Sequence, residues 1–365
     1  LQFVREDDDL LRIRGDCVLG EPRFNPDATL DISKWSRPQH DGPAFRALAL
    51  MRLWAVDALG DAARADMRTL ILADLDFICR HWREPSFDIW EEEKGQHYYS
   101  MLLHYAALED GANWAGQASV PESSHRFRIA AAAIAPVLDE FWSPKMNHYL
   151  SRRNVTNGAG GKELDFAVIL AVIHAARHAG KHSVLDPRIM ATLAALEGLF
   201  EELYPINRGR PCHLGPAMGR YAQDSYFSGG AYYFSTLGAA EFYYRLAGMV
   251  ARGAELAATA ENKQFLSALG LARYAGGQSF EELRPLAFEP LFERGDRFMA
   301  AVAAYTPASG ELSEQFDQKT GAQTSAKTLT WSHAAFISAA ANRKSAQEAG
   351  RLSCAQTAAR RDRQA

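Results

Sequence analysis

The pattern of hydrophobic and polar positions predicts helices of two kinds that alternate along most of the chain. Residues 45–59 are apolar on almost every helical face, and Trp54 and Val56 extend that surface around the helix. Such a helix is expected to be enclosed by other elements. Residues 61–80 instead combine apolar residues at helical spacing with Arg and Asp on the other side. One face of this second helix is therefore expected to contact solvent.

The alternation recurs and predicts an all-α fold in two concentric layers, an inner ring of enclosed helices wrapped by an outer ring of amphipathic ones. A solenoid of stacked helix pairs is the competing architecture, and it would show a fixed repeat period and short regular turns. The chain has no such period, and its outer-to-inner connections are long and rich in aromatic residues. The enclosed helices are expected at residues 45–59, 98–108, 164–176, 232–247 and 329–341, and the amphipathic helices at residues 61–80, 124–142, 187–203, 261–274 and 282–303. Strand signal is confined to residues 146–151.

Composition and charge narrow the class of ligand. The chain has 365 residues and a formal net charge of −4, with acidic and basic residues interspersed. Nucleic acid is therefore not expected as a partner, and an uncharged ligand fits better. The chain contains no run of apolar residues long enough to predict a membrane-spanning helix. Its four cysteines are scattered, and no residue cluster predicts a metal or cofactor site.

An acidic stretch is the first candidate for chemistry. Glu91, Glu92 and Glu93 follow Trp90 in a short loop within residues 87–99. On an open surface three adjacent carboxylates would simply be solvated. If Trp90 partly desolvates one of them, its pKa rises, and a carboxyl that stays protonated near neutral pH can act as a general acid. A second, isolated carboxylate would complete a two-carboxylate mechanism.

Glu314 is the isolated carboxylate that fits this requirement. It lies in an outer-to-inner loop, as Glu91 does, so both are expected at the same mouth of the helical ring. The structural alternative is a pair of solvated or helix-capping acids. A third such loop contains Arg220 and Asp224, which either bind a ligand or form a plain ion pair.

Aromatic residues are concentrated in and beside these three loops. Aromatic rings stack on the apolar face of a sugar, while carboxylates, Arg and Gln bind its hydroxyl groups. The alternative is that the same rings are core walls. The residues in question are Trp35, Trp90, Tyr226, Tyr232 and Trp331.

Six short motifs, in order between residue 20 and about residue 341, resemble glycoside hydrolase family 15, the glucoamylase family. Each motif is short, but six at compatible spacings make a specific match. The resemblance implies an (α/α)6 barrel of six inner and six outer helices, which agrees with the alternation of helices. The motifs are residues 20–25 (GEPRFN), 35–43 (WSRPQHDGP), 88–92 (DIWEE), 219–226 (GRYAQDSY), 313–317 (SEQFD) and 329–332 (LTWS).

The resemblance also implies a reaction, the exo-acting, inverting hydrolysis of α-linked glucose chains from the non-reducing end with release of β-glucose. The implied partner is an α-glucan or maltooligosaccharide, and no cofactor or metal is implied. Glu91 matches the general acid, and Glu314 matches the general base that activates water. In an inverting enzyme the two carboxyl groups are expected roughly 6.5–9.5 Å apart. Sugar-binding or supporting positions match Trp35, Arg37, Gln39, Trp90, Glu92, Arg220, Asp224 and Trp331.

Three departures from the family pattern bear on substrate choice. Lys94 stands where many relatives have Asn, and a cation beside the proposed acid would tend to lower that acid's pKa. Ala222 and Gln223 replace a Pro-Glu pair, and residues 228–232 (SGGAY) carry a smaller stacking residue than the Trp of relatives. The choice among α-1,4, α-1,6 and trehalose links is therefore open. Glucodextranase-like and trehalase-like relatives remain alternatives.

The start of the chain also differs from the family pattern. The chain begins at Leu1, and the inner helix with an Arg-Asp pair that relatives carry before residue 20 is not found in it. We therefore expect residues 1–345 to be an N-terminally truncated barrel domain that lacks one inner helix and its outer partner. Residues 346–365 would then be a charged tail, either an outer helix or a frayed end. An inactive glucan-binding fragment is a further alternative. A secreted or periplasmic location is expected because relatives that act on polymers are often exported, and the oligomeric state is left open.

Overall fold

The structure, a computed structural model, describes residues 15–27, 29, 31, 35–56, 59–118, 120–156, 161–271 and 280–362, without the side chains of residues 228, 280–285 and 354–362. Residue contacts divide the chain into two compact units. The first unit comprises Leu1–Trp142 and Leu150–Ala159, and the second comprises Ser143–Tyr149 and Gly160–Ala365.

The first unit is built around one enclosed helix, α3, which is buried on nearly every side. Both α1 and α4 pack against it. A Cβ at Gly111 of α3 would lie only 2.5 Å from Cδ1 of Leu75 in α2, so a glycine allows α2 and α3 to approach closely. The helices are α1 (Asp41–Trp54), α2 (Asp61–His81), α3 (Tyr98–Gln117) and α4 (Pro121–Asp139), preceded by a 3₁₀ helix at Gly15–Gly20.

The helix α1 differs from its prediction. Its buried face is formed mainly by small residues, with Ala44, Ala47 and Leu48 inside, whereas Phe45 and Leu53 are exposed. The prediction of an enclosed helix at residues 45–59 was therefore wrong. Apolar periodicity shows which faces of a helix are able to pack, but burial also requires a neighbouring element, which a single helix sequence does not specify.

The second unit is built around α7, in which almost every residue is buried. The helices α5, α9 and α10 pack against it. Local sequence sets the start of α6, because Asp186 accepts a hydrogen bond from the backbone N–H of Arg188 at 2.9 Å and Pro187 occupies the first turn. The helices are α5 (Ala167–Ala175), α6 (Pro187–Leu203), α7 (Tyr233–Ala251), α8 (Lys263–Ala268), α9 (Phe280–Ala304) and α10 (Thr330–Asp362).

The last helix, α10, is longer and more exposed than predicted. Phe336 and Ile337 lie on its solvent side, with Ile337 67% exposed, so the prediction of an enclosed helix at residues 329–341 was wrong. The helix continues through residue 345, where a charged tail was expected to begin. Ala346 is buried just beyond that point, and a Cβ at Gly350 would lie 2.4 Å from the ring of Phe288 in α9.

Short strands support the loops that carry the candidate residues. The first unit has an antiparallel sheet in the order β1-β2-β5, and the second has one in the order β6-β7-β8. Except for β4, which falls within the predicted segment at residues 146–151, these strands were not predicted, because two to four residues are too few to show an alternating pattern. The strands are β1 (Ser86–Phe87), β2 (Lys94–His97), β3 (Trp142–Ser143), β4 (His148–Tyr149), β5 (Arg152–Arg153), β6 (Ala231–Tyr232), β7 (Gln315–Phe316) and β8 (Gln323–Thr324).

Candidate active site

In the first unit, Glu91 lies in the tight loop that joins β1 to β2. Asp88 closes this loop, because its Oδ1 accepts the backbone N–H groups of Glu92 at 2.7 Å and Glu93 at 2.9 Å. Its carbonyl oxygen also accepts the N–H of Glu91 at 2.9 Å. The loop is thus held from within by one carboxylate, and the Glu91 side chain is left half-buried.

The backbone of Glu91 adopts a left-handed conformation with a φ of +63°. This conformation is unfavourable for a residue with a Cβ, and it persists only where surrounding contacts enforce it. One such contact is a 2.5 Å hydrogen bond from the Ser36 hydroxyl to the Glu91 carbonyl oxygen. Local strain of this kind is concentrated at functional sites.

The three adjacent carboxylates of the acidic stretch have different environments. Glu93 is buried and forms an ion pair with Arg152 of β5, which is also largely buried. Glu92 is exposed, and Glu91 is intermediate. The charge crowding that the sequence suggests is therefore relieved, because one carboxylate is neutralised by an arginine and another is solvated.

Asp41, in the first turn of α1, is a buried carboxyl that the sequence analysis did not single out. Burial raises its pKa to about 7, while hydrogen bonds from the N–H groups of its own residue and Gly42 act in the opposite direction. The negative charges of Asp88 and Glu91 raise the pKa further. Asp41 thus belongs to the acidic cluster around Glu91. In sequence, an Asp before Gly-Pro at a helix start indicates only a first-turn acid.

The loop before α1 holds three of the predicted site residues in different environments. Trp35 is 40% exposed, with the Arg23 guanidinium 4.0 Å from its ring centroid. Arg37 is buried in an ion pair with Glu21, at 2.8 and 2.9 Å from its two oxygens. The backbone of Gln39 donates to the Gly20 carbonyl at 3.0 Å. Arg37 therefore fixes this loop, while Trp35 faces solvent. Another predicted site residue, Trp90, lies in the Glu91 loop and is buried.

In the second unit, Glu314 directly precedes β7 and is held by its own backbone. Its N–H donates to the Ala326 carbonyl at 2.7 Å, and its carbonyl oxygen accepts the N–H of Tyr233 at 3.2 Å. The hydroxyl of Ser325 donates to Oε2 of the Glu314 carboxylate. The carboxylate is half-buried, so it is both oriented and accessible.

Arg220 and Asp224 form a bidentate, buried ion pair, with Nε and Nη2 at 2.7 and 2.6 Å from the carboxylate oxygens. The guanidinium lies 5.2–5.5 Å from the ring centroids of Tyr221, Tyr226 and Tyr232. Stacked, bidentate arginines are well suited to fixing a loop. Asp224 also accepts the N–H of Tyr226 at 2.9 Å, so the pair sets the course of the following turn.

Two aromatic side chains of this unit pack as walls. Tyr232 is fully buried, and its hydroxyl accepts a hydrogen bond from Nε2 of Gln315 at 2.8 Å. Burial raises the pKa of the Tyr232 phenol far above its usual value, so the phenol stays neutral. The Trp331 ring stacks on Phe234 with a centroid distance of 4.1 Å and an interplanar angle of 5°.

The described residues contain no group of three metal-ligating side chains close enough to hold an ion. None of the helices in the described ranges has the length and apolarity needed to cross a bilayer. What the two units do provide is one half-buried glutamate each, Glu91 and Glu314, of which Glu314 is oriented by the Ser325 hydroxyl. Glycoside hydrolysis requires a pair of carboxyl groups.

The chain belongs to the glycosyl hydrolases family 15, whose family model matches residues 9–341. It is 33% identical over 336 residues to Glucoamylase 1 of Rhizopus oryzae, and this match covers 88% of this chain and 55% of that protein. It is 30% identical over 331 residues to a probable glucoamylase of Schizosaccharomyces pombe, covering 88% of this chain and 69% of that one.

The family 15 glucoamylase of Hypocrea jecorina has a similar structure, with a TM-score of 0.79 and 28% identity over 90% of this chain and 56% of that one. The predicted all-α, (α/α)6-barrel fold class is thereby confirmed. The chain spans just over half the length of the first relatives that it matches.

Proposed function

We propose that this chain carries the chemistry of a glucan 1,4-α-glucosidase, an inverting, exo-acting hydrolase that releases β-D-glucose from the non-reducing ends of starch-type chains or maltooligosaccharides. Family membership supports the reaction class, and the named relatives are glucoamylases. An exported location, secreted or periplasmic, fits a polymeric substrate and is part of the proposal.

The observation that carries the proposal is a contrast among the acids of the candidate loops. Glu93 and Asp224 are buried in ion pairs with Arg152 and Arg220. Within the described part of the chain, no ion pair is formed by Glu91 or Glu314, and both are half-buried rather than fully solvated. An acid or base must exchange a proton during each turnover, so it has to be reachable and not neutralised by a permanent partner.

In the proposed mechanism, Glu91 donates its proton to the glycosidic oxygen as the bond to C1 breaks. Glu314 removes a proton from a water molecule, whose oxygen attacks C1 from the opposite face and inverts the configuration. The hydrogen bond from the Ser325 hydroxyl orients the Glu314 carboxylate for this step.

The remaining candidate residues divide into two proposed roles. The aromatic rings of Trp35, Trp90 and Trp331 contact sugar, together with the polar groups of Gln39 and Glu92. The buried pairs Arg37–Glu21 and Arg220–Asp224 hold the loops that carry those contacts. A bidentate pair fixes a loop more rigidly than a single hydrogen bond does.

Single substitutions test the two catalytic roles separately. Glu91→Gln and Glu314→Gln should each lower kcat on maltotriose by about 10²–10⁴-fold while sugar binding stays measurable. On α-D-glucosyl fluoride, whose leaving group needs no proton, Glu91→Gln should retain most of its activity and Glu314→Gln should not. The matched controls are two exposed glutamates in the same segments, Glu84→Gln and Glu311→Gln, which should retain wild-type rates. Full activity of either catalytic variant on maltotriose would refute the assignment.

Rates of hydrolysis of substrates with different glycosidic linkages distinguish the alternative functions. Initial rates on maltotriose, isomaltotriose and trehalose should be highest for maltotriose. A preference for isomaltotriose would indicate a dextran-type enzyme, and a preference for trehalose would indicate a trehalase-like one. Acarbose binding without any glucose release would identify a glucan-binding fragment.

A further inference from the structure

Two neighbouring aromatic side chains, Tyr226 and Phe227, are exposed in the turn that follows Asp224. They are 46% and 56% exposed, respectively. Their ring centroids are 4.8 Å apart with an interplanar angle of 81°, so they form an edge-to-face pair open to solvent. Adjacent exposed apolar side chains of this size often mark a ligand-binding or interaction surface.

The backbone at Phe227 is strained. Its φ of +46° and ψ of +43° are left-handed, a region in which a bulky aromatic residue is disfavoured and Gly or Asn is the usual choice. Burial of the side chain cannot offset the strain, because more than half of the surface of Phe227 is exposed. Neither local conformation nor core packing therefore explains an aromatic residue at this position.

The turn is held in this shape from both ends. Gly229 also has a positive φ of +65°, and a Cβ there would lie 2.0 Å from the Asp224 carbonyl oxygen, so only glycine fits. Gln318 donates to the Gly229 carbonyl at 3.0 Å, and Gln315 donates to the Tyr226 carbonyl at 3.3 Å.

The same glutamine ties the aromatic pair to the segment of the candidate base. Gln315 follows Glu314 directly, and its Oε1 accepts the N–H of Gly230 at 3.2 Å. On the other side, Asp224 accepts the N–H of Tyr226 at 2.9 Å. The exposed rings are thus fixed relative to the strand that carries Glu314, and a fixed ring loses little conformational freedom when it binds a ligand.

We propose that Phe227, supported by Tyr226, is a stacking platform for one pyranose ring of an α-glucan bound at Glu314, and that it sets how strongly longer oligosaccharides are held. This inference rests on the proposed function and adds a specificity-determining residue to it. The C–H face of a pyranose ring packs on an aromatic ring, and a strained backbone that presents the ring to solvent is compensated when a ligand covers it.

The test compares sugar binding in variants of Phe227. Calorimetry with maltotriose is performed on the full chain carrying Glu314→Gln, so that the sugar is not hydrolysed. Phe227→Leu keeps an apolar side chain and the same backbone demand but removes the ring. Phe227→Gly removes the ring and also the strain, so it should fold at least as well as its parent. The matched control is Phe336→Leu, a similarly exposed phenylalanine on α10.

We expect both Phe227 variants to raise the Kd for maltotriose about 5- to 10-fold, in line with the contribution of one aromatic stacking contact, and the control to leave it unchanged. In the otherwise wild-type chain, Phe227→Leu should raise KM for maltotriose with kcat within about twofold, as expected for loss of binding that is equal in the ground and transition states. If maltotriose binds the parent and both Phe227 variants equally well, the platform is wrong and the proposed function stands. If the parent binds no maltotriose, both proposals are overturned.

Discussion

The hydroxyl of Ser325, directly after β8, donates a hydrogen bond to the carboxylate of Glu314, directly before the paired strand β7. Ser325 holds this position with a left-handed backbone, at a φ of +63°. Glu91 has the same φ in the other unit. A strained non-glycine residue is therefore found at both candidate catalytic carboxylates. At Glu91 it is the acid itself, and at Glu314 it is the hydrogen-bond donor Ser325.

Ser325→Ala should lower kcat on maltotriose, because the Glu314 carboxylate loses the hydrogen bond that orients it. The loss should be roughly tenfold, since a hydrogen bond to a charged group contributes about 1.5 kcal/mol. Ser325→Thr, which keeps the hydroxyl, is the control and should retain a kcat near the wild-type value. An unchanged kcat in the alanine variant would show that the hydroxyl does not position the base.

Asp41→Asn should stabilise the protein at high pH and not at low pH. Burial raises the pKa of Asp41 from 3.8 to about 7, so between these values the folded state binds more protons than the unfolded state. Stability is therefore lost as pH rises from about 4 to 7, by at most roughly 4 kcal/mol. The isosteric amide cannot ionise and avoids this loss.

Thermal unfolding at pH 4 and pH 8 measures this effect. The difference in Tm between Asp41→Asn and the parent should be near zero at pH 4 and clearly positive at pH 8. Asp61→Asn, an exposed first-turn acid of α2, is the control, and it should lose only about 0.5 kcal/mol through the helix dipole. Equal Tm differences at both pH values would contradict the account of Asp41.

Removing one partner of the Glu93–Arg152 pair should destabilise the protein strongly, whereas replacing both partners with apolar residues should destabilise it little. Arg152→Met leaves a buried carboxylate without its partner and should lower the free energy of unfolding by about 3–5 kcal/mol. The double variant Glu93→Met/Arg152→Met should recover most of that loss, because no unpaired charge remains. Urea unfolding of the two variants gives the comparison.

A second, exposed pair in the same segment provides the control for this prediction. Arg153 pairs with Glu140 near the surface, and Arg153→Met should cost less than about 1 kcal/mol. A double variant no more stable than Arg152→Met would show that the pair contributes through its geometry and not mainly by neutralising charge.

Sequence predicted the parts of the fold that depend on local pattern. The amphipathic α6 has its predicted bounds, and α3 and α7 are enclosed as their periodicity indicates. Both enclosed helices extend beyond their predicted ends, α3 to Gln117 and α7 to Ala251. The exposure of Phe45 on α1 and Ile337 on α10 was not predictable in this way, because burial depends on which elements are neighbours and not on the helix alone.

The sequence suggests which residues form the candidate site, but it does not predict the environment of each residue. Glu91 and Glu314 were found from motif and loop position, whereas the positive φ at Glu91 and the Arg152 partner of Glu93 arise from contacts distant in sequence. Asp41 and Phe227 were not singled out, because a first-turn acid and an aromatic residue in a loop have many uses. The burial of Asp41 and the left-handed backbone of the exposed Phe227 are visible only in the structure.

The configuration of the first glucose released from maltotriose tests the central claim most directly. Proton NMR recorded in the first minutes, before mutarotation, distinguishes the two anomeric signals. Two carboxylates acting as acid and base invert the configuration at C1, so the β-anomer should appear first and the α-anomer should grow only by mutarotation. Initial release of α-glucose, or no release of glucose at all, would contradict the account.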